Sequence, residues 1–200
     1  MKIQWLGHSC FKILSDTTSV IFDPFQDGSI PGIRNIREKA NCILCSHEHF
    51  DHNARETVEL INKELDCKVF EIPSYHDDVK GAKRGLNTIH VLDYDGFRIC
   101  HLGDLGCALN EEQINLLMNV DVLFIPVGGF FTINAIQAKA IVDTIKPVIT
   151  IPMHYRSDTF GFDAISTVDA FTSFFNDVEY CDSIMDLDMP HKPVVVLNYD

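Results

Sequence analysis

The chain has 200 residues, and its 29 acidic residues outnumber its 16 basic ones to leave a net charge of −13. Such a surface repels nucleic-acid phosphates and anionic membranes, which argues against a nuclease acting on nucleic acid, and no apolar run approaches the length of a membrane span. An apolar content of 46% supports an ordinary core, the length suits one domain over 1–200, and seven scattered cysteines read as reduced, small hydrophobic residues. With no secretory leader at Met1 to Phe11, the expected location is the cytoplasm.

Three short apolar bursts open the chain, Lys2 to Leu6, Ser9 to Leu14 and Ser19 to Asp23, with turn residues 15–18 between the last two. Residues 24–38, carrying Gly28, Pro31 and Gly32, read as a loop, and the apolar run Cys42 to Ser46 leads into His47-Glu48-His49-Phe50-Asp51-His52. Apolar residues at near-helical spacing predict a helix over 54–65, followed by a strand over 68–72 and a polar loop holding His76. Thr88 to Leu92 and Phe97 to Leu102 flank Asp93-Tyr94-Asp95-Gly96, a hairpin signal. Helices over 111–118, 135–145 and 163–175 alternate with strands over 122–127, 148–151 and 193–197, and ligand-capable residues fall after strand ends.

The six residues from His47 to His52 pack three imidazoles and two carboxylates. In an extended chain His47, His49 and Asp51 share one face, whereas His52 needs a turn to join them. Imidazole and carboxylate together suit zinc, iron or manganese, while closed structural zinc sites draw on cysteine. A polar loop merely rich in histidine is the plain alternative, but distant parts of the chain offer matching donors in Asp104 after Gly103, in His154 after an apolar strand, and in His76. His101, three residues before Asp104, reads as a pocket residue or as a support behind the donors; His90 reads as a solvent-facing strand residue, and His191 as exposed. The zincin pattern H-E-x-x-H fails because position 51 is Asp51. Cys42-x-x-Cys45 lacks a second pair and reads as core.

The run H-x-H-x-D-H, together with Trp5-Leu6-Gly7-His8-Ser9-Cys10-Phe11, Asp23-Pro24-Phe25, His101-Leu102-Gly103-Asp104, Pro126-Val127-Gly128-Gly129 and Ile151-Pro152-Met153-His154-Tyr155, resembles the metallo-β-lactamase superfamily. The likeness is nearest to its compact branch, which includes proteins similar to L-ascorbate-6-phosphate lactonase. It implies an α/β fold, a four-layer αββα sandwich with the metal site at one edge. It further implies His47, His49 and His76 on one metal and Asp51, His52 and His154 on the other, with Asp104 and a hydroxide between them, and Asp51 and Asp104 counted as catalytic. Asp23 matches an aspartate that orients a ligand histidine, and His8 matches a position near the site. The implied cofactors are two divalent ions, zinc foremost, with manganese or iron also accepted by these donors.

Substrate is the least determined feature. Lys83-Arg84-Gly85-Leu86-Asn87 offers Arg84 or Lys83 to a phosphate or carboxylate, with Asn87 beside them, or is simply a solvated basic loop. Tyr155 and Arg156 are placed to contact substrate or donate a proton, and Gly128 to Phe131 to wall a pocket. The expected activity is hydrolysis of an ester, lactone or phosphodiester of a small molecule, without nucleic acid or membrane as partner. The alternatives are a metal-binding sensor or assembly component without turnover, and a dimetal oxidoreductase with a separate redox partner. Oligomeric state has no signature in the sequence.

Overall fold

Alternation along the first strands sorts their side chains between two faces, and in the computed structural model, which describes residues 1–62 and 64–199, both faces are covered. Strands β1 (Lys2–Gly7), β2 (Cys10–Leu14), β3 (Ser19–Phe22), β5 (Cys42–Leu44) and β13 (Ile184–Asp186) form one sheet in the order β13-β1-β2-β3-β5. The second sheet contains β7 (Cys67–Tyr75), β8 (Leu86–Tyr94), β9 (Phe97–His101), β10 (Val122–Pro126), β11 (Ile149–Met153), β12 (Val178–Cys181) and β14 (Val194–Leu197), ordered β12-β14-β11-β10-β9-β8-β7. Trp5, Phe11, Val20 and Phe22 face the second sheet and meet Val91, Ile99, Phe124 and Ile151 in the main core.

The opposite face of the first sheet presents Cys10, Ile21 and Ile43, and these are buried by Phe25, Ile30, Ile33 and Ile36 of the 24–37 segment and by Val58. A two-stranded ribbon of β4 (Glu38–Ala40) and β6 (Val58–Leu60) completes that outer layer. Helices α1 (Glu111–Leu117) and α2 (Ala135–Ile145), with the short α3 (Asp169–Thr172), supply the helical layer, and Leu117, Ala138, Val142 and Ile145 enter the main core. Asn110 and Asn134 cap α1 and α2 through reciprocal bonds with Gln113 and Gln137. Among the described residues no helix is long and apolar enough to cross a membrane.

Several elements depart from the sequence pattern. The helix expected over 54–65 is a single 3-10 turn, Arg55–Thr57, followed by β6, because Val58 is buried by pairing beside β4 while Leu60 and Ile61 face solvent. Lys63 of that span lies outside the described residues. The helix expected over 163–175 shrinks to α3, since Ser166 and Thr167 pair instead with Gly128 and Arg156 next to the ligand cluster. Strand β7 continues through Pro73 to Tyr75, which an edge strand tolerates, so His76 leaves directly from a strand end rather than from a polar loop. His90 is buried, facing Phe22 rather than solvent. His191 is half-buried, with its ring held by Glu179 and the Asp186 carbonyl. The hairpin forms as its sequence indicates, with Asp95 and Gly96 both at positive φ (51° and 83°) between β8 and β9.

Strand direction assembles the site. β1, β3 and β5 run the same way, and His8, Asp23 and the His47 to His52 run follow their ends. β7, β9, β10 and β11 also share one direction, and they are followed by His76, Asp104, the 127–131 turn and His154. All these residues therefore emerge at one edge of the sandwich.

Phe124 is fully buried and stacks on Phe11 with ring centroids 4.1 Å apart, bridging the two sheets. Phe124→Ala should cost about 3–5 kcal/mol. Urea unfolding followed by fluorescence should show the lower midpoint with an unchanged slope.

Candidate metal centre

Asp23 is completely buried and sits in left-handed backbone at φ 44°. Its Oδ1 accepts the Ser46 amide at 2.7 Å, and its Oδ2 accepts the Ser46 hydroxyl at 2.6 Å and the His52 Nδ1–H at 2.8 Å. Because the Ser46 proton goes to Asp23, Ser46 Oγ accepts from His47 Nδ1 at 2.9 Å. One carboxylate thus fixes two imidazoles, His52 directly and His47 through a hydroxyl, and leaves both Nε2 atoms for the cluster. Burial opposes ionisation of Asp23, but the facing His101 and the bonds from His52 and Ser46 outweigh it and bring the pKa to about 2.

The Nε2 atoms converge on partners from the other strand ends. His47 Nε2 lies 3.1 Å from His49 Nδ1, and His76 completes a trio with ring centroids 4.8 Å from His47 and 5.2 Å from His49. Asp104 Oδ2 lies 3.2 Å from His52 Nε2, 3.3 Å from His76 Nε2 and 3.3 Å from His154 Nε2. A second trio joins His52 and His154 to His8, and Asp51 Oδ2 stands 3.8 Å from both His8 Nε2 and His52 Nε2.

Hydrogen bonding inside the protein leaves this cluster incomplete. Among the described residues, six of nine buried side-chain nitrogen and oxygen atoms without a hydrogen-bond partner belong to it: both nitrogens of His8, His52 Nε2, His76 Nδ1, Asp104 Oδ1 and His154 Nδ1. Each such atom costs ~1–3 kcal/mol if nothing else satisfies it. Ligands bound to one tetrahedral ion at ~2.0–2.1 Å stand roughly 3.3 Å apart, which is the spacing around Asp104. Burial holds His8, His47 and His76 below the usual imidazole range, His47 at about 3, so their lone pairs are available. Asp104 stays ionised against its burial because His154 and His52 face it. The donor set therefore fits divalent cations.

The surrounding residues divide clearly by position. Asn87 is buried; its Oδ1 accepts the Asp104 amide at 2.9 Å while its Nδ2 donates to Ser74 Oγ and the Leu102 carbonyl, so it aims Asp104 rather than meeting substrate. A side chain on Gly103 would place Cβ 2.3 Å from Asn87 Oδ1, which explains glycine between His101-Leu102 and Asp104. His101 is stacked on Phe22 at 4.9 Å, donates through Nε2 to the Ser9 carbonyl at 2.9 Å and accepts the Gly103 amide, so it stands behind Asp23 and outside the donor trios. Tyr155 corrects the sequence expectation of substrate contact: its ring is buried against Trp5 and its hydroxyl reaches only the Leu197 carbonyl, 3.4 Å away. Arg156 likewise turns to the Ile165 carbonyl.

At the mouth, apolar side chains stand beside the Arg84 guanidinium and the exposed Glu48 carboxylate. Phe50, Leu86 and Phe130 are exposed, Phe131 lies 6.4 Å from the His154 ring, and a cavity of about 350 Å³ is lined by His47, His49, Arg84 and Leu86. Arg84 crosses the rim, donating to the Phe130 carbonyl at 2.9 Å and lying 5.7 Å from the Phe131 ring. Asp77, which sequence inspection passed over, builds that rim: its carboxylate accepts the amides of Val79, Gly81, Lys83 and Arg84 at 2.7 to 2.9 Å. The signal was an aspartate followed four residues later by glycine, the pattern of a loop folded around a side-chain acceptor.

Residues 2–154 match the family model described as a beta-lactamase superfamily domain. A UPF0173 metal-dependent hydrolase of Natranaerobius thermophilus is 28% identical, covering 78% of this chain and 84% of that protein. A protein of the same name from Desulforamulus reducens is 30% identical, covering 78% and 85%. A crystal structure from Thermotoga maritima, described as a candidate Zn-dependent hydrolase of the metallo-beta-lactamase superfamily, superposes with a TM-score of 0.79 at 30% identity, covering 98% of this chain and 97% of that one.

Asp77→Ala should open the 77–84 loop without disturbing the histidines. Amide exchange at Val79, Gly81, Lys83 and Arg84 should accelerate about tenfold or more, since each loses a bond to a charged acceptor. Amides of β8 and β9 should be unaffected.

Proposed function

The chain belongs to the metallo-β-lactamase superfamily of metal-dependent hydrolases, and we propose that it holds two divalent ions, zinc foremost, and cleaves a small ester, lactone or phosphodiester. The carrying observation is Asp104 Oδ2, which stands 3.2 to 3.3 Å from imidazoles belonging to two different histidine trios. On this reading His47, His49 and His76 hold one ion, and Asp51, His52 and His154 hold the other, with Asp104 shared. His8, whose two buried ring nitrogens lack partners, joins the second centre as a further donor or contacts what is bound there.

Ions in these positions supply Lewis acidity and bring the pKa of water toward ~7, as zinc does in hydrolases. The protein's own groups do the rest. Asp23 and Ser46 prevent His47 and His52 from rotating, and Asn87 with Gly103 fixes the direction of Asp104. Asp51, whose side chain is 14% exposed, is the more accessible carboxylate of the cluster and is placed to accept a proton at the mouth. Arg84 carries further guanidinium donors for a phosphate or carboxylate on the substrate, while Phe50, Phe130 and Phe131 suit an apolar portion. The net charge of −13 supports a small molecule over a nucleic acid, and the free cysteines support a reducing cytoplasm.

Metal analysis should find two ions per Asp104 cluster, and Asp104→Asn should weaken both. His76→Ala should largely empty one centre, whereas His101→Ala should retain both ions and lower turnover by ~10 to 100-fold, as lost supports behind ligands do. A single ion at saturation, unchanged in Asp104→Asn, overturns the paired arrangement.

Hydrolysis of p-nitrophenyl esters, lactones or phosphodiesters should vanish on chelation, return with zinc, manganese or iron, and rise with pH through a limb near neutrality. Activity that survives full metal removal, or an acyl group trapped on serine or cysteine, rules the mechanism out. A metal-loaded protein inactive across these classes points instead to a sensing role.

A further inference from the structure

A separate group of donors lies where the edges of the two sheets meet. Glu179 and Cys181 are two residues apart on β12, so both side chains leave the same face of that strand, and His191 reaches them from the segment before β14. Cys181 Sγ is 3.3 Å from Glu179 Oε1, and His191 Nδ1 is 3.3 and 3.2 Å from the two Glu179 oxygens. The trio shares no residue with the Asp104 cluster.

Two contacts from outside the trio hold it in place. His191 Nε2 donates to the Asp186 carbonyl of β13 at 2.8 Å, which turns Nδ1 toward Glu179 and Cys181. The Lys192 amide donates to Glu179 Oε2 at 3.0 Å and fixes the carboxylate. An imidazole whose outer N–H is held by a backbone carbonyl is the usual arrangement of a metal-bound histidine. The 3.2 to 3.3 Å separations match those around Asp104, and the Glu179 side chain remains 29% exposed, leaving room for water as a fourth ligand.

We propose that Glu179, Cys181 and His191 form a third divalent-cation site, of the zinc type, beyond the two centres of the Asp104 cluster. Thiolate, imidazole and carboxylate together suit zinc or cobalt, whereas magnesium and calcium require oxygen ligands. Binding releases the Cys181 thiol proton to solvent and changes no oxidation state. The ion ties β12, the outer strand of the seven-stranded sheet, through His191 to the β13 carbonyl on the five-stranded sheet. Its role is therefore a clamp across the end of the sandwich.

Cobalt titration of the metal-stripped, full-length protein tests this directly, because the Asp104 cluster contains only nitrogen and oxygen donors. The expected result is a near-ultraviolet thiolate-to-cobalt charge-transfer band that saturates at one equivalent beyond those of the Asp104 cluster. Cys181→Ser should abolish the band and that equivalent, while ester hydrolysis by the metal-loaded protein stays within about twofold of the parent. Absence of the band at saturating cobalt overturns the site, as does its persistence in Cys181→Ser. Should that variant not fold, alkylation of the parent protein read residue by residue decides the matter: zinc should slow modification of Cys181 at least tenfold, and an unchanged rate means that His191 and Glu179 form only an ion pair. Because these readouts follow sulfur, they are unaffected by whether the Asp104 cluster holds one ion or two.

Discussion

A carboxylate sealed from water, with its backbone in a conformation that most residues avoid, is the constraint on which the rest of this molecule depends. Asp23 has no exposed surface, and its φ of 44° belongs to a region that costs a non-glycine residue of order 1–3 kcal/mol. Three hydrogen bonds and a facing imidazole keep it ionised. His8 and His154 share the same left-handed backbone, each at φ 53°. Strain thus concentrates where strands of both sheets end, and the packed sheets behind it supply the stability that tolerates it.

The same arrangement explains why the donor cluster is buried without being internally satisfied. Eight imidazoles and carboxylates crowded at one edge would repel or protonate one another if nothing lay between them, and the protein does not fill the gap with donors of its own. Instead it uses rigid supports: Ser46 passes the hold of Asp23 to His47, Asn87 grips the Asp104 amide, and His101 fills the space behind them between Phe22 and Ser9. Family membership and geometry therefore agree on metal-dependent hydrolysis from independent directions. The matched region ends at residue 154, the last histidine of the cluster.

Around this rigid centre the rim is built differently, from loops. Arg84 is held by the turn that Asp77 organises and by a carbonyl across the mouth, while Phe50 and Phe130 stand in solvent. Rigid ligands with a loop-built rim let one fold serve many substrates, since the rim can vary without disturbing the strand ends. Here the rim combines the Arg84 guanidinium and the Glu48 carboxylate with several aromatic rings.

The residue pattern by itself was enough to indicate most donors of the cluster, most strands of both sheets though neither β12 nor β13, the Asp95-Gly96 hairpin and the helices over 111–118 and 135–145, because short-range alternation, turn residues and clustered ligand types are local properties. It also singled out Asp104 and His154 by their place after strand ends, while Asp23 was indicated by the resemblance to the metallo-β-lactamase superfamily. Tertiary structure decided what depends on partners far away in the chain. The 54–65 segment carries apolar residues at helical spacing, yet pairing of Val58 beside Glu38 makes Val58–Leu60 a strand. His76 and His101 come from strands that run the same way, yet His76 lies just past the end of β7 and enters the cluster, whereas His101 is still within β9 and packs on Phe22 behind Asp23. Tyr155 adjoins His154 and still points into the core, and His90 is buried in a strand whose local composition suggested exposure, because which face of a strand meets the opposing sheet is set by long-range packing. Local chemistry named the atoms; the direction in which each leaves its strand was settled by the fold.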